Sequence, residues 1–559
     1  MTSASPGSRV TSIGIDGPNM PLLKAWISDG RLPNLAAIAR DGATGHYTHH
    51  KAFRNERCWE TFLDGRPSQG CGAVFDPEHY AFRNESLQDE RPQAPFHALG
   101  EGFEVCAFDL PAPLSPQVRG LQVAGWGSEL NSSVPMSMPP GLLGELTAKH
   151  GGDPKFERSM AVLDQASGRQ ERSFRLPSLY DAEGLCRFRG DLLLAIERRT
   201  AICEDLMSRG EWNLFLALYT ESHSANHVLW HLGEPFPVAP EGAPHGHALL
   251  EVCQAIDRGI GRIRRRAPAD GSLVVWTIDH TLANTMDVPS LVLLPELLYR
   301  WSHPGARALA PAEADGPVPP MRTDYRRHWK HEIWSLVTAT GAAELESPAS
   351  QEARGDPLSW HPANWYRPLW RGMKAFALPS VSDGHVRLNV RGREAGGIVE
   401  PADFDRVLDE LAALLRSATD PRTGRPLAAR VLRTRQAPAD EPRMPPDLIV
   451  CWDDARPADT LDCLGFGRVG PVPFFRSGGH VAHGTPVENL LLACGPGIEA
   501  GGTLRAGVLE DLPATLRALA GAPRGPGMTG RSLFEPGEPS GAGAATGAGA
   551  GAAAVGRPA

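Results

Sequence analysis

Ser272–His280 reads SLVVWTIDH, and this stretch sets the expectation for the fold. Its apolar, β-branched run does not alternate with polar residues, which predicts a strand buried on both faces, as in a parallel sheet. The run stops abruptly at Asp279 and His280. Such a stop marks the carboxyl end of the strand. An acid and an imidazole there must be hydrated, paired or metal-bound, because burying them alone costs several kcal/mol.

Three other stretches read the same way. RVTSIGIDG (9–17) ends at Asp16, WNLFLALYTESH (212–223) ends near Glu221, and NLLLACGPGI (489–498) runs into a glycine-rich turn. Between them lie helical patterns: MPLLKAWISDG (20–30), RLPNLAAIARDG (31–42) and DLLLAIERRTAICEDLMSRG (191–210). Strands alternating with helices predict an α/β fold, a largely parallel sheet with helices on both faces. From Met286 to Trp370 the pattern gives way to Pro- and Trp-rich sequence, read as a cap-like insertion. Trp360, Trp365 and Trp370 suit aromatic packing in a small subdomain better than a substrate lining.

Composition narrows the class. The 559 residues are 42% apolar and 22% charged, ordinary for a globular chain. A net charge of −9, with the only basic run at Arg264–Arg266, argues against a nucleic-acid partner. No apolar run approaches the roughly 18 to 20 residues that span a bilayer, so no membrane partner is expected. The first residues, MTSASPGSRV, lack the apolar core of a signal peptide, and a cytoplasmic location is expected. Nine cysteines without a C-x-x-C pair read as reduced thiols; Cys58 reads as a small buried side chain. Residues 1–8 form an N-terminal arm, residues 9–536 the α/β domain, and the Gly/Ala-rich 537–559 a disordered tail.

In open α/β sheets ligands bind beyond the carboxyl ends of the strands. Asp16, Glu221, His223, His227, Asp279 and His280 can therefore converge, joined by His480 and His483 from RSGGHVAHG (476–484). The spacing in HSANH places His223 and His227 on one face of a helical turn, which suits a shared metal.

IGIDGPNMPLLKAWISDGRLPNLAAIARDGATG (13–45), WETFLDGRP (59–67), ESHSANHVLWH (221–231), VVWTIDH (274–280), LNVRGREAGGIVEP (388–401), RSGGHVAHG and LLLACGPGI together resemble the alkaline phosphatase superfamily, in its type I phosphodiesterase and nucleotide pyrophosphatase-like branch. That resemblance implies a three-layer sandwich and two divalent ions, zinc or manganese given the mixed carboxylate and imidazole donors. One site would use Asp16, position 55, Asp279 and His280. The other would use His223, His227 and a histidine of GGHVAHG, His480 fitting the spacing better than His483. Three positions depart from the family. His223 stands where Asp is common, with Glu221 a candidate fourth or outer ligand, and Thr281 replaces the glycine of DHG. Asn55 occupies the nucleophile's place. An amide coordinates or donates but is barely nucleophilic, so attack falls to metal-activated water or to a neighbouring hydroxyl such as Thr48 or Thr61. Arg54 and Arg66 flank that place and are candidates for binding the substrate's anionic oxygens, an exposed surface role being the plainer alternative.

The implied function is metal-dependent hydrolysis or transfer on a phosphate monoester, phosphodiester or related small anion. Its rival is a degenerate relative kept as a metal- or ligand-binding scaffold.

Overall fold

The computed structural model describes residues 8–50, 57–68, 72–84, 94–128, 135–157, 160–164, 169–173, 176–179, 181–233, 247–310, 317–318, 321, 329–441, 444–453, 456–474, 476–481 and 486–535. Arg54, Asn55, His483 and the 537–559 tail lie outside them.

Twelve strands bear on the site: β1 (Val10–Asp16), β2 (Ala43–His50), β3 (Val105–Phe108), β4 (Gly120–Ala124), β5 (Met136–Met138), β6 (Leu214–Tyr219), β7 (Ser272–Ile278), β8 (Thr281–Ala283), β9 (Gly478–His480), β10 (Pro486–Cys494), β11 (Gly502–Thr503) and β12 (Gly507–Val508). Ten form the central sheet, in the order β11-β2-β10-β7-β1-β6-β3-β4-β5, with β12 beside β2. The block from β7 to β4 is parallel, as the unalternating apolar runs predict. β10 and β5 run against it.

Helices cover both faces. On one side α1 (Met20–Ser28), α2 (Pro33–Asp41), α4 (Ala182–Ser208), α5 (Glu221–Leu229) and α6 (Ala248–Arg266) pack on Ile13, Ile15, Phe215, Ala217 and Val275. On the other, Trp59 and Phe62 of α3 (Arg57–Asp64) and Leu512 and Leu516 of α7 (Asp511–Leu519) pack on Leu216, Leu218, Val274 and Trp276. Odd and even positions of each strand thus go to opposite cores, and the period of two is hidden because both are apolar. Trp276 lies over Gly14, where a Cβ would come within 2.5 Å of its ring, and its Nε1 donates to Ser12 Oγ at 2.9 Å. Cys58 is buried in this second core.

A further core collects residues from Met286 to Phe474. It extends beyond the Trp- and Pro-rich stretch to include a four-stranded sheet (Ala375–Leu378, Gly384–Leu388, Leu448–Trp452 and Ala428–Arg433, in that order) and the helix Phe404–Ser417. Trp365 and Trp370 are buried in it, Trp370 stacked on Phe376 at 4.7 Å; they pack rather than line a cleft. The chain enters this lobe through β8 and returns through β9, and the two pair as an antiparallel ribbon, Thr281 opposite His480 and Ala283 opposite Gly478.

One expected strand end is corrected. NLLLACGPGI reads as another strand of the parallel sheet, with the glycine turn at its carboxyl end. Because β10 runs antiparallel to β7, Cys494 sits opposite Leu273 at the start of β7, and the glycine turn lies at the far edge. What β10 brings toward the site is its beginning, preceded by β9 and His480. An apolar run gives a strand's ends but not its direction.

Candidate metal centre

β1 and β7 are adjacent and in parallel register, so their last residues emerge side by side, Asp16 opposite Ile278 with Asp279 next in the chain. Gly17 follows Asp16 at φ 54°, and a Cβ there would lie 2.9 Å from His223 Cγ. The DG pair is thus more than a turn: glycine admits both the left-handed backbone and the imidazole beside it. Asp279 is itself left-handed at φ 63°, a conformation that aspartate tolerates better than most residues, and its Oδ1 accepts from His280 N at 2.7 Å.

α5 begins directly after β6 and carries His223 and His227 one turn apart. β9 brings His480 to them at unusually close range. At Gly478 a Cβ would fall 1.9 Å from Asn226 O, and at Gly479 3.0 Å from Asn284 Cα, so the glycine pair of RSGGH lets the strand lie against the helix backbone. The three imidazoles meet. Their ligating nitrogens lie within 4.8 Å of one another, with His223 Nε2 at 2.8 Å from His227 Nε2.

Each ring is held from behind. His223 Nδ1 lies 2.9 Å from Asp16 Oδ2, His480 Nδ1 lies 3.0 Å from Asp279 Oδ2, and His227 Nδ1 donates to Gly478 O at 2.8 Å. At His223 and His227 a hydrogen bond from Nδ1 fixes the tautomer and leaves the Nε2 lone pair for a cation, and at His480 the nearby carboxylate of Asp279 orients the ring by charge. Burial, followed by the charges of Arg476, His223 and His480, drives His227 well below the ordinary histidine value. Burial lowers His480 as well, against the pull of Asp279, and burial takes His280 down to about 4. Burial alone would raise Asp279, but His480, His223 and His49 together hold its carboxyl below the usual range. Neutral imidazoles beside ionised carboxylates are the donor set that zinc-like ions take. The residues present fit a divalent cation.

His280 Nε2 is buried without a hydrogen-bond partner among the described residues, an orphan that a ligand would satisfy. Thr281, in place of glycine, fastens the loop: its hydroxyl donates to Gly17 O.

Several expected residues stand elsewhere. Glu221 does not turn to the imidazoles; its Oε1 accepts from Arg199 Nε at 2.8 Å, and Arg199 Nη1 also donates to Asp109 Oδ2 at 2.9 Å, all three fully buried. A buried guanidinium takes the carboxylate because neither charge can be left unpaired. Lys155 and Asp153 extend this group, with Lys155 Nζ 3.0 Å from Ser224 Oγ on α5. Glu221 thus anchors the histidine helix instead of ligating. Arg66 follows the last turn of α3, 3.9 Å from Asp64, about 12 Å of helix away from the end that Asn55 precedes. Thr61 lies within α3, its Oγ1 accepting from Ser68 N at 3.0 Å. Thr48 sits in β2 opposite Glu488. Alternation along that strand puts it on the other face from His49, whose charge bears on Asp279.

Arg476, Asp287 and His49 were not singled out in the sequence. Arg476 Nη1 lies 3.2 Å from His227 Nε2, while its Nε donates to Asp287 Oδ2 at 2.5 Å. The one signal for it is its place at the head of RSGGH.

No family model and no curated protein matches the chain. Solved structures do resemble it. Phosphonoacetate hydrolase from Sinorhizobium meliloti 1021, in complex with phosphonoformate, is 12% identical with a TM-score of 0.44, over 93% of this chain and 97% of that one. Murine ectonucleotide pyrophosphatase/phosphodiesterase 5 is 12% identical with a TM-score of 0.43, over 93% and 96%. Wild-type alkaline phosphatase PafA is 13% identical with a TM-score of 0.46, over 95% and 99%. Each is a likeness of overall fold and says nothing of the reaction here. The chain is an α/β sandwich with helices on both faces of a ten-stranded, largely parallel sheet, the architecture its sequence motifs imply.

Proposed function

We propose that this chain is a metal-dependent hydrolase or transferase acting on a small phosphate ester or a related anion. One observation carries the reading: three imidazoles from two separate elements converge within 4.8 Å, and two carboxylates at adjacent strand ends back them. A fold with no use for a cation has no physical reason to gather five such groups, four of them buried, at one place. His223, His227 and His480 would hold one divalent ion, zinc or manganese, with Asp16, Asp279 and His280 placed for a second. Such ions, when bound, neutralise a phosphoryl group and acidify water.

The chain's own residues do the rest. Asp16 and Asp279 stand behind His223 and His480 and keep those imidazoles oriented. The amide of Asn55 accepts no phosphoryl group, so water is the attacking species and the reaction is a single in-line displacement. Asn55 is also what favours the second reading, a binding scaffold without turnover.

Two measurements test this. Protein purified without chelator is expected to carry stoichiometric zinc or manganese; no metal, and no thermal stabilisation on adding either, sinks the reading. A substrate made chiral at phosphorus is expected to give inverted product. Retention would mean two displacements through a covalent intermediate and would overturn the role given to Asn55. Metal-replete protein that turns over neither monoesters nor diesters favours the scaffold.

A further inference from the structure

Resting on that reading, we infer that Arg476 is the substrate-binding residue that selects a dianionic terminal phosphoryl group over the monoanionic phosphate of a diester. The first observation is the charge of the donor set. The residues closest to the centre are three imidazoles, which bring no negative charge, while Asp16 and Asp279 each commit an oxygen to an imidazole Nδ1. The second is the guanidinium itself, buried beside this centre with Nη1 3.2 Å from His227 Nε2.

That contact has a consequence for any cation at the centre. The lone pair on His227 Nε2 is the one a metal takes, because His227 Nδ1 is committed to Gly478 O. A metal there displaces the Arg476 N–H from its acceptor. Arg476 cannot swing far, since its Nε is held by Asp287 Oδ2 at 2.5 Å, and it cannot lose its proton. Asp287 balances the guanidinium's charge from one side, while Nη1, released from His227, stays beside the metal, where one anion can meet both together. A terminal phosphoryl group offers two charges and three free oxygens, enough to face the metal side and the guanidinium fork together. An internal diester offers one charge and two free oxygens, and its second ester arm must be accommodated as well. Asp287 lies where the chain enters the second lobe and Arg476 just before it returns, so the guanidinium is set by both crossings.

The test uses the full chain loaded with zinc. Metal content and thermal midpoint are measured for wild type, Arg476→Lys and Arg476→Ala. Inorganic phosphate binding is followed by calorimetry, and kcat/KM is determined for 4-nitrophenyl phosphate and bis(4-nitrophenyl) phosphate. Wild type is expected to prefer the monoester by at least about tenfold. Arg476→Ala is expected to keep its zinc, bind phosphate at least about tenfold more weakly, and lose roughly a hundredfold on the monoester but under tenfold on the diester. Arg476→Lys keeps a charge against Asp287 and hence the fold; its point charge in place of a fork is expected to weaken phosphate severalfold, which keeps the question answerable if the alanine variant does not fold. Zinc-replete variants that bind phosphate as wild type does, equal losses on both substrates, or a wild-type preference for the diester would overturn the inference and leave the metal-dependent reading intact. A wild-type protein that holds no metal would overturn both.

Discussion

Gly478→Ala is the sharpest perturbation that the fold offers, because it changes no charge and no ligand. The added Cβ would sit 1.9 Å from Asn226 O, 2.7 Å from its carbonyl carbon and 3.2 Å from His227 N, all backbone atoms of the helix that carries His223 and His227. Backbone cannot swing aside as a long side chain can. To restore even a 3.0 Å approach, strand and helix must part by about 1 Å, and a shift of that size at a preorganised site costs on the order of a hundredfold. Overpacking of this kind also lowers stability by about 1–3 kcal/mol. Zinc affinity, measured by competition with a chromophoric chelator, is therefore expected to fall by roughly ten- to a hundredfold. Urea unfolding of the metal-free protein gives the stability term. Gly190→Ala is the control: it lies within the helix Ala182–Ser208 with nothing within 4 Å of its Cβ, and alanine there is expected to stabilise by about 0.5–1 kcal/mol. A Gly478→Ala protein with wild-type zinc affinity and stability would refute the claim that the glycine pair sets the His480 approach.

Four further outcomes follow from the structure. His231 is buried between Ser477 Oγ and Leu179 O, and burial takes it to about 4; it is neutral in both states above its unfolded value of about 6.5, and as pH falls toward 4 only the unfolded chain gains the proton, so His231→Gln should reduce the stability lost between pH 7 and 4 by up to roughly 3 kcal/mol in denaturant melts. Asp153, pushed by burial up to about 7, has the opposite sign, losing stability as pH rises from 4 to 7, so Asp153→Asn should lessen that loss in the same assay. Arg199→Met leaves Asp109 and Glu221 buried without their cation and is expected to cost about 3–5 kcal/mol in urea unfolding, a loss under about 1 kcal/mol contradicting the anchoring role. Zinc at a hundred times its Kd should add about 2.7 kcal/mol to the wild-type unfolding free energy, and His227→Ala should abolish that increment.

The site was legible where strand endings are legible. Asp16, Asp279 and the His223–His227 pair each follow an apolar run, and a parallel sheet delivers such endings to one edge whatever their distance in sequence. The direction of β10 was not legible, since an apolar run reads the same both ways. Glu221 misled for a related reason: it sits at the right strand end, but its partner Arg199 comes from the middle of a long helix with no sequence cue. Arg476 went unassigned because an arginine ahead of a glycine pair is common, and its meaning comes only from the approach of β9 to α5. The second lobe's four-stranded sheet lies wholly after Trp370, beyond the stretch read as the insertion, because its short strands read like those of the main sheet.

The ribbon of β8 and β9 makes that lobe a module. Every residue from Asn284 to Ser477 is a detour between two strands whose ends, Ala283 and Gly478, are already paired. A tight turn joining them would turn the ribbon into an ordinary hairpin, with Asp279, His280 and His480 still at its base. Domain insertions succeed at such sites, where entry and exit are neighbours. The seam is not the lobe's sole tie, for Phe75, Tyr80 and Phe82 from earlier in the chain share its core and Tyr80 bonds to Asn389, so an exchange must carry the 73–84 hairpin along while the candidate cation-binding residues stay fixed. Arg476 and Asp287 lie on the exchanged side of that seam, so the proposed preference for an anion would travel with the lobe, and the proposed cation site would stay with the sheet.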